Sequence, residues 1–399
     1  MPDPTPTPEP TPRKWWEDFL PTNWKKIVSW LILAATITLI NWIRGKDATP
    51  IPLPDLVDFD FVVSNEVDIE PEVVAELEKR KIKIRRTGWR KPTDQDTINT
   101  LGVLSVAHFH DTEAGQEIIA DGDAPVWRLA FKGRGKPIPI RDQGPIGSCV
   151  SFGFAGAVEY TMAAQAALGK QRQELPDICQ EAIYAGSRVE VNGGRVPFSG
   201  DGSTGAWGAK WLETTGGALA RGKYGSHDLT AYDVARCKQW GSRGVPDELE
   251  PEAKKHPAKC TLVANAEEAR KALAQGYAIS VCSMQGFSKV RDSEGFATAS
   301  GSWAHCLLVA GYRADRPGFL VINSWGPDWI KGPKGKFEDI PDGAFWAEAT
   351  VVDRMLRQGD SFAVANASGF VKRKIDPLDW VVDSRKDKRL FQPFFALAH

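Results

Sequence analysis

The stretch Asp142–Cys149, DQGPIGSC, sets a cysteine behind two glycines, a proline and a serine, with a glutamine six residues upstream. The run from that cysteine onward, CVSFGFAGAVEYTMAAQAALG, is rich in alanine and long apolar side chains. It predicts a long helix that opens at Cys149 and ends at Gly169 as C-terminal cap. Gly147 and Ser148 form the turn and cap before it. Gly153 and Gly156 allow close approach of neighbouring elements. Cys149 therefore lies in the first helical turn, where unpaired N–H groups and the helix dipole favour a thiolate. A thiolate so placed is a nucleophile; the bland alternative is a buried cysteine that happens to begin a helix.

A cysteine nucleophile needs a base, and the base needs a group that orients it. GSWAHCLLVAGY places His305 at the head of an apolar strand. GFLVINSWGPDW places Asn323 at the end of the next strand, after the turn-rich RADRPG loop. Adjacent antiparallel strands can present His305 and Asn323 side by side, so that Asn323 fixes the imidazole tautomer that faces sulfur. Trp325 can cover that bond from water. Gln143, just before the helix, can aim its amide at a developing oxyanion, together with the Cys149 backbone N–H.

Taken together, DQGPIGSCVSF, HCLLVAGY and VINSWG resemble the three signature blocks of papain-like cysteine peptidases, over roughly residues 125–365. AIYAGSRVE, GDGSTGAWGAKWLETTGG and EEARKALAQGYAISVCSM fall where that family has its left-domain helices and its first barrel strand. The resemblance implies an α+β, two-domain papain-like fold, with a helical left domain and a β-barrel-like right domain. It implies Cys149 as nucleophile, His305 as base and then acid, Asn323 as orienter and Gln143 as oxyanion donor. The expected activity is endopeptidase hydrolysis of a protein or peptide through an acyl-thioester, with no cofactor and no metal. Asp201, Gly202 and Ser203 are the implied lining of the subsite for the residue next to the cleaved one, with Trp325 beside the site; a glycine-rich surface loop is the alternative for the first three.

The family signature C-G-[SA]-C-[WY] is only partly kept. Ile146 stands where the family has a structural cysteine, and Val150 where it has an aromatic residue. His305 and Asn323 also lie somewhat further downstream than the usual 130–150 residues. These departures mark a divergent member. Two other readings stay open: a transpeptidase or cell-wall amidase using the same Cys-His chemistry, and a silent homologue that binds peptide.

The 399 residues carry a net charge of −1, which gives no reason to expect a nucleic-acid partner, and no phosphate-binding glycine loop is present. The six cysteines form no C-x-x-C pair. Cys237 and Cys260 flank a polar stretch and could bridge a loop, whereas Cys282 and Cys306 lie in apolar runs and read as core thiols. His108 and His110 in AHFHD are two apart; surface positions are the simpler reading than metal ligands.

Residues 1–23 form a Pro/Thr-rich tail expected to be extended and disordered. Residues 24–44 include an uncharged run from Ile27 to Ile43, edged by tryptophan and basic residues. They predict a single transmembrane anchor of roughly 20 residues rather than a cleaved signal or core helix. The heavier positive charge before the run places the large domain outside the cytoplasm. Residues 45–124 read as linker, stalk or pro-segment, in part lying over the cleft, with a helix over Pro71–Arg85. Residues 366–399 are a C-terminal extension with no functional reading.

Overall fold

The structure is a computed structural model and describes residues 60–64, 83–170, 174–366 and 368–372. The expected tail and the anchor at 24–44 lie outside the described residues, as does the part of the expected helix over 71–82. Among the described residues no helix is long and apolar enough to cross a membrane.

The helix opening at Cys149 runs to Leu168, with Gly169 as its cap residue. It is buried nearly all round, as an alanine-rich helix without a polar face must be. Ser148 holds the cap position, but its side chain makes no capping bond. Arg141 fixes the preceding loop to the helix through a two-pronged pair with Glu159, at 2.7 and 2.8 Å. Glu159 Oε1 also accepts the Ile178 N–H. The helices Gln180–Arg188, Gly205–Lys210 and Val234–Arg243 complete the helical side.

Strands β1 (Asp60–Val63) and β2 (Lys83–Arg86) pair in parallel, and β3 (Lys223–Tyr224) with β4 (His227–Asp228) makes a small hairpin. The other strands are β5 (Lys259–Leu262), β6 (Ile279–Arg291), β7 (Ala297–Arg313), β8 (Gly318–Ile322), β9 (Ala344–Glu348) and β10 (Phe362–Ala365). They form one antiparallel sheet in the order β5-β10-β6-β7-β8-β9. The order has two ends, and bridges from the β6–β7 ribbon to Trp346 on β9 and to Lys331 curl it toward the barrel-like form expected. Register shifts bend the β6–β7 ribbon, and its turn bridges Phe296 to Trp346 on β9. The central helix packs on β6, β7 and β10. Gly153 permits this: a Cβ there would stand 2.7 Å from Cys306 Sγ.

Three local expectations differ from the structure. Lys83–Arg85 is strand, not helix end, because β1 offers it backbone partners. His305 lies well inside β7, which begins at Ala297; the polar residues before it still pair with β6. Cys237 and Cys260 form no bridge. Both are free and buried, Cys237 in a small cluster with Ile146 and Tyr184, and Cys260 on β5 in the main core. Cys282 and Cys306 are buried opposite each other on β6 and β7.

Residues 83–124 are packed onto the rest: Trp89, Leu104, Phe109, Ala114 and Ala124 join the main core. β10 is the last described strand along the chain, and Phe370 beyond it packs on Phe109 and Tyr277. The rings of His108 and His110 stack at 5.3 Å, and His110 Nδ1 lies 3.3 Å from Glu268.

Candidate active site

β7 and β8 are paired at Leu308 and Ile322, which brings His305 and Asn323 to the same end of the sheet. His305 Nε2 lies 2.8 Å from Asn323 Oδ1. The same oxygen accepts the Ser324 backbone N–H at 2.7 Å. A backbone N–H can only donate, so that atom is the amide oxygen and His305 Nε2 must carry its proton. Nδ1 is then the basic nitrogen; it is buried and has no hydrogen-bond partner. The Trp325 ring lies 4.6 Å from the imidazole, and Trp303, which carried no signal in the sequence, meets both rings. This aromatic wall dries the site, and burial pushes His305 from 6.5 down to about 4, opposed by the Asn323 hydrogen bond.

Cys149 is fully buried at the start of the helix that packs on β7. Burial is the largest influence on its thiol and pushes it well above its ordinary value. The neighbouring Cys306 acts in the same direction, and the backbone N–H groups of Cys306, Gly88 and Val150 oppose them. The helix start alone would favour a thiolate, but here desolvation wins, and no hydrogen bond joins Cys149 to His305.

Gln143 has every amide atom engaged. Its Oε1 accepts from Ser324 Oγ at 2.6 Å, and Nε2 donates to the carbonyls of Ile146 at 2.7 Å and Arg86 at 2.9 Å. One amide proton thus braces its own loop. The other holds a carbonyl brought by residues 83–90, in the manner an oxyanion donor would hold a substrate.

Those residues cross the site. Gly88 and Trp89 donate their N–H groups to the carbonyl of Ala304, the neighbour of His305. Ser203 N–H donates to the Gly88 carbonyl, and Arg90 N–H to the Ser203 carbonyl. Arg85 pairs with Asp142 at 2.7 Å and Arg86 with Asp201 at 3.0 Å. Gly88 is required by closeness: a Cβ there would stand 2.0 Å from the Gly147 carbonyl oxygen. Of the implied subsite, Ser203 pairs with this crossing segment. Asp201 binds Arg86 and accepts the Gly147 N–H, and the Gly202 carbonyl accepts from Arg188.

This geometry defines the class. An imidazole oriented by an asparagine stands on a strand packed against a helix with a cysteine at its start, and a glutamine amide holds a carbonyl nearby. The papain family of cysteine proteases matches residues 127–338, more than half of the chain, and the chain belongs to that family. The probable cysteine protease RDL3 of Arabidopsis thaliana is 24% identical over 217 residues, covering 53% of each chain, so this chain spans about half the length of that curated relative. Among solved structures, xylellain, a cysteine protease from Xylella fastidiosa, is similar with a TM-score of 0.42 at 18% identity, covering 70% of this chain and 91% of that one. Digestive procathepsin L 3 of Tenebrio molitor larval midgut is similar with a TM-score of 0.38 at 15% identity, covering 74% and 86%.

Proposed function

We propose that the chain is a cysteine endopeptidase and that residues 83–90 hold its cleft closed. The observation that carries the reading is the orientation of His305. With Nε2–H donated to Asn323, Nδ1 is left as the proton acceptor for the Cys149 thiol. Once the cleft is open to water, the desolvation that pushes both groups toward their neutral forms falls away. His305 takes the thiol proton, sulfur attacks the substrate carbonyl, and Gln143 with the Cys149 N–H holds the oxygen as charge develops. His305 then returns the proton to the leaving amine, and water resolves the thioester. Incubation of the activated chain with a fluorogenic peptide library and with a cell-wall preparation tests this. Release from peptides is expected; release from cell wall alone would favour an amidase.

Gln143→Ala is expected to lower kcat roughly 100- to 1000-fold with KM nearly unchanged, since an oxyanion donor acts on charge that appears only in the transition state. Steady-state kinetics on the activated enzyme check this; an unchanged kcat would leave Gln143 as a brace for the loop only.

The same reading extends to a divergent, membrane-held enzyme. Support comes from the uncharged run Ile27–Ile43 with its tryptophan and basic edges. The basic residues before the run favour an extracytoplasmic peptidase domain. The full chain is expected to stay with membranes through a carbonate wash, and a chain without residues 1–46 to be released; release of both would refute the anchor. Protease added to intact cells reads the side on which the domain lies.

A further inference from the structure

Trp89 follows the glycine that touches the Cys149 neighbourhood, and its side chain goes into the body of the protein. It is 1% exposed, and its indole N–H donates to Asp360 Oδ2 at 2.6 Å. Asp360 is completely buried. Its Oδ2 also accepts the Gly205 N–H and its Oδ1 the Ala206 N–H, both at 2.6 Å. Among the described residues no cationic side chain pairs with it. The carboxylate is thus held by two fixed backbone donors and one donor supplied by the closing segment. Burial pushes the carboxyl up to about 7, with these three N–H groups opposing it.

When residues 83–90 leave, Gly205 and Ala206 remain and Oδ2 loses a partner. A buried acceptor left short of a donor is costly, so whatever next enters the pocket is chosen by whether it brings one. Trp89 also shows where the pocket lies along a bound chain. Its backbone bridges Ser203, in the stretch implied to line the subsite beside the cleaved residue, while the Gly88 backbone N–H faces the Cys149 sulfur.

We propose that the Trp89 site is the pocket for the substrate side chain beside the residue that bears the scissile carbonyl, on its acyl side. In this assignment Asp360 makes the pocket select tryptophan, a flat apolar body with a single N–H donor. This rests on the peptidase reading of the same cleft. With Trp89 gone Asp360 has one lone pair free on each oxygen, so an ammonium or guanidinium brings more donors than the carboxylate can accept and leaves the rest unmet in an apolar pocket. A phenylalanine fills the space and leaves Asp360 unanswered. The closing segment then acts as a copy of the preferred side chain, held by the contact the substrate must replace.

The test uses the full chain carrying Trp89→Ala, which empties the pocket, and two vinyl sulfone probes, acetyl-Trp-Gly and acetyl-Phe-Gly. The rate of adduct formation at Cys149 is followed by mass spectrometry. The tryptophan probe is expected to react at least about tenfold faster, the range for a hydrogen bond to a buried charged group. Adding Asp360→Leu is expected to bring the two rates together. Because that change also strips partners from Gly205 and Ala206, Trp89→Phe in the otherwise unaltered chain supplies a second reading. It keeps the ring, removes the N–H, and is expected to speed labelling about tenfold over the parent. Equal rates for the two probes, or a Trp89→Phe chain as slow as the parent, would overturn the assignment while leaving the peptidase reading standing. Failure of both probes where iodoacetamide still alkylates Cys149 would overturn the peptidase reading, and the assignment with it.

Discussion

Replacing Cys149 by alanine is expected to lower kcat for peptide hydrolysis by roughly a millionfold, the scale on which losing a catalytic nucleophile registers in hydrolases of this logic. The chain should still fold. Cys149 is buried against β7, but the change removes only one sulfur from a core built on the long helix and the six-stranded sheet. Its effect on stability is on the order of 1 kcal/mol. Hydrolysis with Cys149→Ala, measured beside a thermal unfolding curve, separates the two effects. Retained turnover in a folded Cys149→Ala chain would remove cysteine chemistry from this site, whatever else His305 and Asn323 do.

A second large effect is expected from Gly88→Val. The Gly88 position lies against the backbone of Gly147, and even a Cβ would stand 2.0 Å from its carbonyl oxygen. The neighbour is backbone in the loop that leads into the helix, so relief must come from the crossing segment. Overpacking of this kind costs about 1–3 kcal/mol. Expressed as a shift between closed and open cleft, that is roughly a ten- to hundredfold rise in the open population, and in the initial rate of peptide hydrolysis by the full chain. The hydrogen bonds from Gly88 and Trp89 to Ala304, and from Gln143 to Arg86, would be lost together because they belong to one strand-like segment. A Gly88→Val chain no more active than its parent would mean that residues 83–90 do not control access.

The parts of this site that were legible in the sequence carry their chemistry in local pattern. Cys149 sits behind a turn and before a helical run, His305 lies in an apolar strand, and Asn323 directly follows the next strand; antiparallel pairing then brings the last two together. The closing segment was less legible. KRKIKIRR has the composition of a charged helix, yet its described part, Lys83–Arg86, is a strand paired with Asp60–Val63, and residues 87–90 beyond it take backbone partners at Val63, Ala304 and Ser203. Periodicity cannot see such pairings. Asp360 gave no signal at all, since QGDSF has no motif and its three donors lie at Trp89, Gly205 and Ala206. The direction in which the Cys149 thiol is pushed was not legible either. A helix start argues for a thiolate, but complete burial outweighs a few N–H groups, which is a tertiary fact.

The central claim, that residues 83–90 cover a cysteine which becomes nucleophilic when uncovered, is tested most directly by the pH profile of iodoacetamide alkylation, with adducts mapped by peptide mass spectrometry. It is measured on the parent chain and on Gly88→Val. In the parent, alkylation of Cys149 is expected to be slow across pH 6–8, because the thiol is buried and burial pushes it toward its neutral form. In Gly88→Val, alkylation is expected to fall on Cys149 and to remain fast well below about pH 8.5, the ordinary thiol value, because His305 now takes its proton. Equal profiles in the two chains, or a dominant adduct on another of the six cysteines, would contradict the claim.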